Sequence, residues 1–160
     1  MTDIRKPLNV FAQSVNVGQI AEISAAGPES QTVMVNSGSQ STTIIPGKPM
    51  KLVTGASQVP LVDIAIPGTD PIYGLALYNP KVSKWLAGDI LQVTTAKSVV
   101  FLQSSGSLAR GAQVGMNSSS FKIQASTLAN HIGTLLDDAT TDAIVRVELD
   151  IPLGVTRASA

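Results

Sequence analysis

One histidine, His131, and a short acidic cluster are the side chains of this chain best suited to acid–base or metal chemistry. A nucleophilic serine needs a base such as histidine, and paired carboxylates bind Ca²⁺ or act as acid and base. With His131 and one of Asp137, Asp138 or Asp142 at its site, the chain would be a small β-rich hydrolase or a carbohydrate-binding module. The competing interpretation, which we favour, is a histidine held by a turn hydrogen bond and an acidic loop in solvent.

The motifs that usually accompany such chemistry are missing from the sequence. There is no cysteine, and one histidine does not make a multi-histidine metal site. The spacing of the aspartates does not match an EF-hand loop, no Gly-x-Ser-x-Gly elbow occurs, and no glycine-rich stretch ends in Gly-Lys-Ser/Thr. We therefore expect no enzymatic activity, no cofactor and no bound metal.

The charge balance argues against two further classes of partner. The 160 residues include 11 basic and 11 acidic side chains without a basic stripe, whereas proteins that bind nucleic acids carry basic patches. No apolar run approaches the roughly 20 residues of a membrane helix. We expect neither a nucleic acid nor a membrane as partner.

The elements that must position these side chains are short β-strands. Val145, Val147 and Leu149 alternate with charged residues, which indicates one buried and one wet face. Residues 114–116 and 121–123 flank a polar Asn-Ser-Ser-Ser stretch, as in a β-hairpin. About eight to ten short strands, and no amphipathic helix of usual length, predict an all-β fold, either a small barrel or a sandwich.

A short pattern occurs three times, beginning at Gly47, Gly88 and Gly111. In each case bulky apolar residues stand at the third and fifth positions after the glycine. The pattern predicts a tight turn with glycine at positive φ, followed by a strand with one face inward. The alternative is a chance repetition, because turn glycines are common in β-rich proteins.

Composition divides the chain into three segments. Residues 1–45 are rich in Ser, Asn, Gln and Gly and predict an extended N-terminal arm; residues 46–155 predict a β-barrel-like domain and residues 156–160 a C-terminal tail. Within the arm, residues 32–35 and 42–45 are β-prone. We expect these two pieces to pair with each other as a hairpin or to extend along a neighbouring subunit.

Large side chains that could anchor a partner are few, since aromatic residues make up 4% of the chain. Leu8 and Phe11 lie in the arm, which cannot bury them alone, and this favours a partner surface. Trp85 lies between two predicted strands and is either an interface anchor or part of the barrel core. Together with Tyr78, these are our candidate interface residues.

The order of several short motifs resembles that in the capsid decoration, or cement, proteins of tailed bacteriophages. The resemblance covers about two thirds of the chain and rests on order, because each motif is short. The motifs are LYNPK at residues 77–81, AGD at 87–89, SG at 105–106, ARGA at 109–112, IGTLLD at 132–137 and VRVEL at 145–149.

This resemblance implies a structural virion protein that binds the outer surface of the assembled major-capsid shell and stabilises capsomer junctions. The implied partners are the major capsid protein and further copies of this chain, as a dimer or trimer. The implied location is the outside of the virion head, after synthesis in the host cytoplasm. A tail or fibre β module of the same particle is an alternative.

Overall fold

A computed structural model of the chain describes residues 15–22, 30–36, 43–55, 57–95, 97–127 and 129–151. Within these ranges the chain forms eleven strands and no helix, which confirms the predicted all-β class with one strand more than expected. The strands are β1 (Ile20–Glu22), β2 (Ser30–Val35), β3 (Pro49–Val53), β4 (Leu61–Ile64), β5 (Gly74–Ala76), β6 (Ile90–Thr94), β7 (Val99–Gln103), β8 (Gln113–Met116), β9 (Ile123–Ala125), β10 (His131–Leu135) and β11 (Ile144–Leu149).

Five strands close into a barrel in the order β2, β4, β3, β5, β6. The β2–β4 pair is parallel, and the other pairs of the barrel are antiparallel. Closure leaves the barrel without a free edge strand. Its core consists of Val33, Val35, Ile44, Met50, Val62, Ala76, Trp85, Leu91 and Val93.

The remaining strands form a six-stranded antiparallel sheet in the order β1, β7, β11, β10, β8, β9. The sheet curls, and Ile123 of β9 forms an isolated bridge with Ser104, the residue after β7. Its concave side holds a second core, which includes Val100, Leu102, Val114, Met116, Ile123, Ile132, Leu135, Val145, Val147 and Leu149.

Strand β5 connects the two cores. Ala76 is buried in the barrel core, while its neighbour Leu75 is buried in the core of the six-stranded sheet. Successive side chains of a strand face opposite sides, so a three-residue strand serves both cores. Gly18 strengthens the junction: its N–H donates to the carbonyl of Phe101 in β7 at 2.8 Å, and its carbonyl accepts from the N–H of Tyr78 at 3.0 Å.

The three glycine-led turns form as predicted. Gly47, Gly88 and Gly111 have φ angles of 84°, 85° and 85°, and strands β3, β6 and β8 begin two residues after them. The apolar residues at the third and fifth positions are buried in each case except one. The exception is Leu52, which is 52% exposed near the end of β3, opposite Val62.

Two further local predictions are confirmed. Strands β8 and β9 form a hairpin in which Met116 pairs with Ile123, and the side-chain oxygen of Asn117 accepts the main-chain N–H groups of Ser119 and Ser120 in its turn. In β11 the predicted inward residues are buried, and the exposed residue Glu148 lies between two of them.

Of the two alternatives for residues 32–35 and 42–45, the hairpin between them is wrong. Strand β2 pairs with β6 and β4 inside the barrel, and Ile44 forms an isolated bridge with Trp85. Both β1 and β2 lie within residues 1–45 and are paired with strands of the remaining chain, so these parts of the predicted arm belong to the fold. The predicted roles of residues 1–14 and 156–160 fall outside the described residues.

Candidate binding surfaces

His131 begins β10 and contacts a serine and an aspartate. Its Nδ1 atom lies 3.0 Å from Oγ of Ser126, and its Nε2 atom lies 3.7 Å from Oδ2 of Asp150. This arrangement differs from a nucleophilic triad, because the serine Oγ also lies 3.0 Å from the carbonyl of Thr127 and Asp150 is 76% exposed beyond hydrogen-bond distance. The contact with Ser126 agrees with the interpretation of a histidine held by a turn hydrogen bond.

The acidic residues lie between β10 and β11, and each has a separate partner. Asp138 accepts the main-chain N–H of Arg110 at 2.9 Å, and Asp142 pairs with the ammonium group of Lys122. Within the described residues, no three acidic or histidine side chains lie together in a way that could hold a metal ion. The same part of the chain contains no helix of the length and hydropathy needed to cross a membrane.

Asp137 is the most strongly fixed member of this group. The guanidinium of Arg146 forms a two-point contact with it, with Nη2 2.7 Å from Oδ1 and Nε 3.0 Å from Oδ2, and the main-chain N–H of Arg146 donates to Oδ2 at 3.0 Å. The side-chain hydrogen bonds from Arg146 lower the pKa of Asp137 against the opposing effect of burial. We interpret this ion pair as a contact that holds the loop between β10 and β11 against β11.

The four candidate interface residues have different surroundings. Leu8 and Phe11 lie outside the described residues. Trp85 is 3% exposed and packs in the barrel core, which agrees with the core interpretation of this residue. Its main chain is held by hydrogen bonds of 2.9 and 3.1 Å to Ile44. Tyr78 is half-buried, and it lines a groove.

This groove has a volume of about 600 Å³ and separates β1, the edge of the six-stranded sheet, from the outer face of β2 and β6. The segment that follows β5 also lines it. The sequence alone did not indicate the groove, because its walls come from five separate stretches of the chain. The lining residues are Gly18, Gln19, Ile20, Thr32, Leu77, Tyr78, Asn79, Pro80, Trp85, Ile90, Leu91 and Gln92.

A row of apolar residues crosses the outside of the barrel. Met34 of β2 pairs with Ile90 of β6 on one side and with Leu61 of β4 on the other, and Leu61 pairs with Val53 of β3. Ile90 is 60% exposed, and the other members are half-buried. Paired residues share a face of the sheet, so four neighbouring strands each contribute one apolar side chain to a continuous outer row.

Each member of this row is unremarkable within its own strand. Single exposed apolar residues are normal on protein surfaces, whereas contiguous ones mark interaction sites. The row becomes visible only through the register that aligns β6, β2, β4 and β3. Reasoning along the chain alone could not supply it.

No family model matches the chain, and no curated protein matches its sequence. Among solved structures, the chain is similar to the N base of the head fiber protein gp8.5 of bacteriophage phi29, with a TM-score of 0.52 and 11% sequence identity. The likeness covers 78% of this chain and 96% of that chain. What the two chains share is the fold.

Proposed function

We propose that this chain is a structural virion protein of a tailed bacteriophage, which binds the outer surface of the major-capsid shell and stabilises capsomer junctions without enzymatic turnover. The observation that carries the proposal is the likeness in fold to the base of a phage head fiber over 78% of the chain. The motif order described above supports it independently. The separate pairing of the acidic residues gives no support to a hydrolase.

The mechanism follows from linkage. A protein that binds the assembled shell but not its separated subunits stabilises the shell by mass action. Many symmetry-related copies act together, so each interface can be modest in affinity. Self-association into a dimer or trimer would add contacts of the same kind.

The apolar row on the barrel is the contact surface that we assign to the major capsid protein. The side chains of the row face away from the barrel core, and Met34 and Leu61 are its two central members. Burial of such side chains at an interface stabilises the complex by the hydrophobic effect. Exposed polar residues around the row would then form the rim of the interface.

The substitution Met34→Lys tests this assignment. Both side chains are unbranched, so the change adds a charge to the centre of the row without a large change in shape. Ile144→Lys is the matched control, since Ile144 is 40% exposed on β11 in the other sheet. We expect Met34→Lys to weaken binding to purified capsid shells by about tenfold or more, and Ile144→Lys to leave it unchanged.

The two outcomes that contradict the proposal are distinct. If the parent protein does not bind capsid shells in a co-sedimentation assay, the proposed function is wrong. If the parent binds and Met34→Lys binds equally well, the function stands and the apolar row is not the contact surface. Circular dichroism of each variant shows that the fold is retained.

The N-terminal arm provides a second expected contact. We propose that the N-terminal arm, residues 1–45, contributes contacts to the capsid or to a neighbouring copy by main-chain hydrogen bonds, as extended peptides add to sheet edges. A chain without residues 1–15 should bind capsid shells at least tenfold more weakly. An unchanged affinity of the truncated chain refutes this role of the arm.

A fibre module of the same particle is the second candidate function, because the structural likeness is to the base of a head fiber. Gold labelling of virions through a tag on this chain separates the possibilities. Label spread evenly over the head indicates a decoration protein. Label at the ends of projections or at the tail indicates a fibre or tail module instead.

A further inference from the structure

We propose that the groove between β1 and the outer face of the barrel binds a neutral carbohydrate. The proposal goes beyond capsid binding and assigns the chain a second binding site. It concerns a different place from His131 and the acidic residues, which do not line the groove. The volume of about 600 Å³ lies within the range of about 300–1,000 Å³ that is typical of small-molecule sites.

The residues that line the groove do not favour a charged ligand. None of the side chains that line the groove is acidic or basic. Phosphates, nucleic acids and acidic polymers are recognised by arginine, lysine or helix N-termini. A groove with neutral walls therefore favours a ligand that is itself uncharged and rich in hydrogen-bonding groups.

The polar side chains suit hydroxyl groups. Thr32 and Gln92 pair directly across β2 and β6, so they lie side by side on the outer face of the barrel. Within the described part of the chain, their side chains make no hydrogen bond to protein. Amides and hydroxyls both donate and accept, which matches the dual character of a sugar hydroxyl.

Two further amides are held in position by the main chain. The Oε1 atom of Gln19 accepts the N–H of Asn16 at 3.1 Å, and the Oδ1 atom of Asn79 accepts the N–H of Lys81 at 2.9 Å. Because these oxygens are engaged, the NH₂ group of each amide is the part that we assign to a ligand. Such pre-positioned donors reduce the entropic cost of binding.

Tyr78 and Ile90 are two of the residues that contribute apolar surface to the groove. Tyr78 is half-buried, and its main chain is fixed to Gly18, while Ile90 is 60% exposed beside Gln92 on β6. A tyrosine presents an apolar ring with a polar tip, which suits a ligand with alternating C–H faces and hydroxyls. Sugars have this character.

An extended peptide is the competing occupant, because β1 is an edge strand. The pairing of β1 with β7 shifts register between Ile20 and Glu22, and such irregularities discourage the addition of another strand. The carbonyl of Gly18, at the entry to β1, is already engaged by Tyr78. These features favour a carbohydrate over strand addition.

An array of immobilised neutral oligosaccharides, built from glucose, galactose, mannose and N-acetylated hexosamines, tests the proposal. Heparin fragments and uncharged peptides on the same array are the comparison ligands. We expect the full chain to bind at least one neutral oligosaccharide and no heparin. Isothermal titration calorimetry of the full chain with the same oligosaccharides measures the binding in solution.

Gln92→Ala is the test variant, and Gln113→Ala is its matched control on the exposed side of β8. We expect Gln92→Ala to weaken oligosaccharide binding about tenfold through the lost hydrogen bonds, and Gln113→Ala to leave it unchanged. Thr32→Val is a second variant with the same expected direction. Capsid binding by the parent protein is measured in its own co-sedimentation assay, so a failure of this proposal is distinct from a failure of the proposed function.

Three results overturn the proposal. The first is that no neutral oligosaccharide on the array binds. The second is that oligosaccharides bind but Gln92→Ala and Thr32→Val, both folded by circular dichroism, bind as well as Gln113→Ala. The third is that only peptides bind and Gln92→Ala weakens them, which would make the groove a peptide site.

Discussion

Replacing Trp85 with alanine distinguishes a core residue from an interface anchor. The indole is 3% exposed and packs with the other members of the barrel core. Its main chain keeps the hydrogen bonds to Ile44 in the variant, so the substitution removes side-chain packing alone. Leu86, the next residue, is 53% exposed and provides a matched control with a large apolar side chain on the surface.

The expected magnitude follows from the burial. A buried tryptophan removes about 150–250 Å² from water, which corresponds to roughly 4–6 kcal/mol at about 25 cal/mol per Å². An alanine side chain still buries part of this area, and large-to-small substitutions of aromatic core residues typically lower the free energy of unfolding by about 3–5 kcal/mol. We expect Trp85→Ala to lower the free energy of unfolding by about 4 kcal/mol and Leu86→Ala by less than about 0.5 kcal/mol.

Urea denaturation followed by far-ultraviolet circular dichroism measures both variants, since Trp85→Ala has no indole fluorescence. A loss of less than about 1 kcal/mol in Trp85→Ala would refute the packing argument. Retention of full stability together with loss of capsid binding would identify Trp85 as an interface anchor after all.

Two further predictions concern the strands and the acidic loop. Gly133→Ala should cost about 3 kcal/mol, because an added Cβ would lie 2.0 Å from the carbonyl oxygen of Glu148 in β11; Gly106→Ala, with nothing within 4 Å, should be close to neutral in the same urea titration. Asp137→Asn should destabilise the protein at neutral pH by about 1 kcal/mol or less, since the ion pair with Arg146 is one third exposed and screened. The pKa of Asp137 is lowered in the folded protein, so the stabilisation by this ion pair is present above the ordinary value of 3.8 and is lost as the pH falls through the folded-state pKa. The free energies of unfolding of parent and variant should therefore converge in acid. A difference that stays constant with pH would contradict the assignment.

The positions of many strands could be predicted from the sequence because the signals are local. In β11, alternation of apolar and charged residues indicates which side chains point inward without any knowledge of the neighbouring strands. Gly88 and Gly111 mark turns because positive φ is a property of single residues. The all-β class follows from the sum of such signals.

The pairing of distant strands was not predictable in this way. Strand β2 pairs in parallel with β4 and antiparallel with β6, whose residues are far from it along the chain. The residues of a β-prone segment such as 32–35 do not specify which strand it pairs with. For this reason the sequence allowed a hairpin with residues 42–45, which the structure does not contain. Hydrogen bonds between main chains are the same for any partner, and only the packing of the complete barrel selects among them.

The sequence alone determines a β-rich chain of zero net charge with glycine-led turns, and it leaves Trp85 open between core and interface. The tertiary structure decided that Trp85 is buried, that four strands align one apolar residue each on the barrel surface, and that Thr32 and Gln92 meet in a neutral groove. The physical reason is that the alternation of buried and exposed side chains along a strand is determined by residues that are adjacent in the sequence. A surface that spans several strands depends on register, which exists only once the chain has folded.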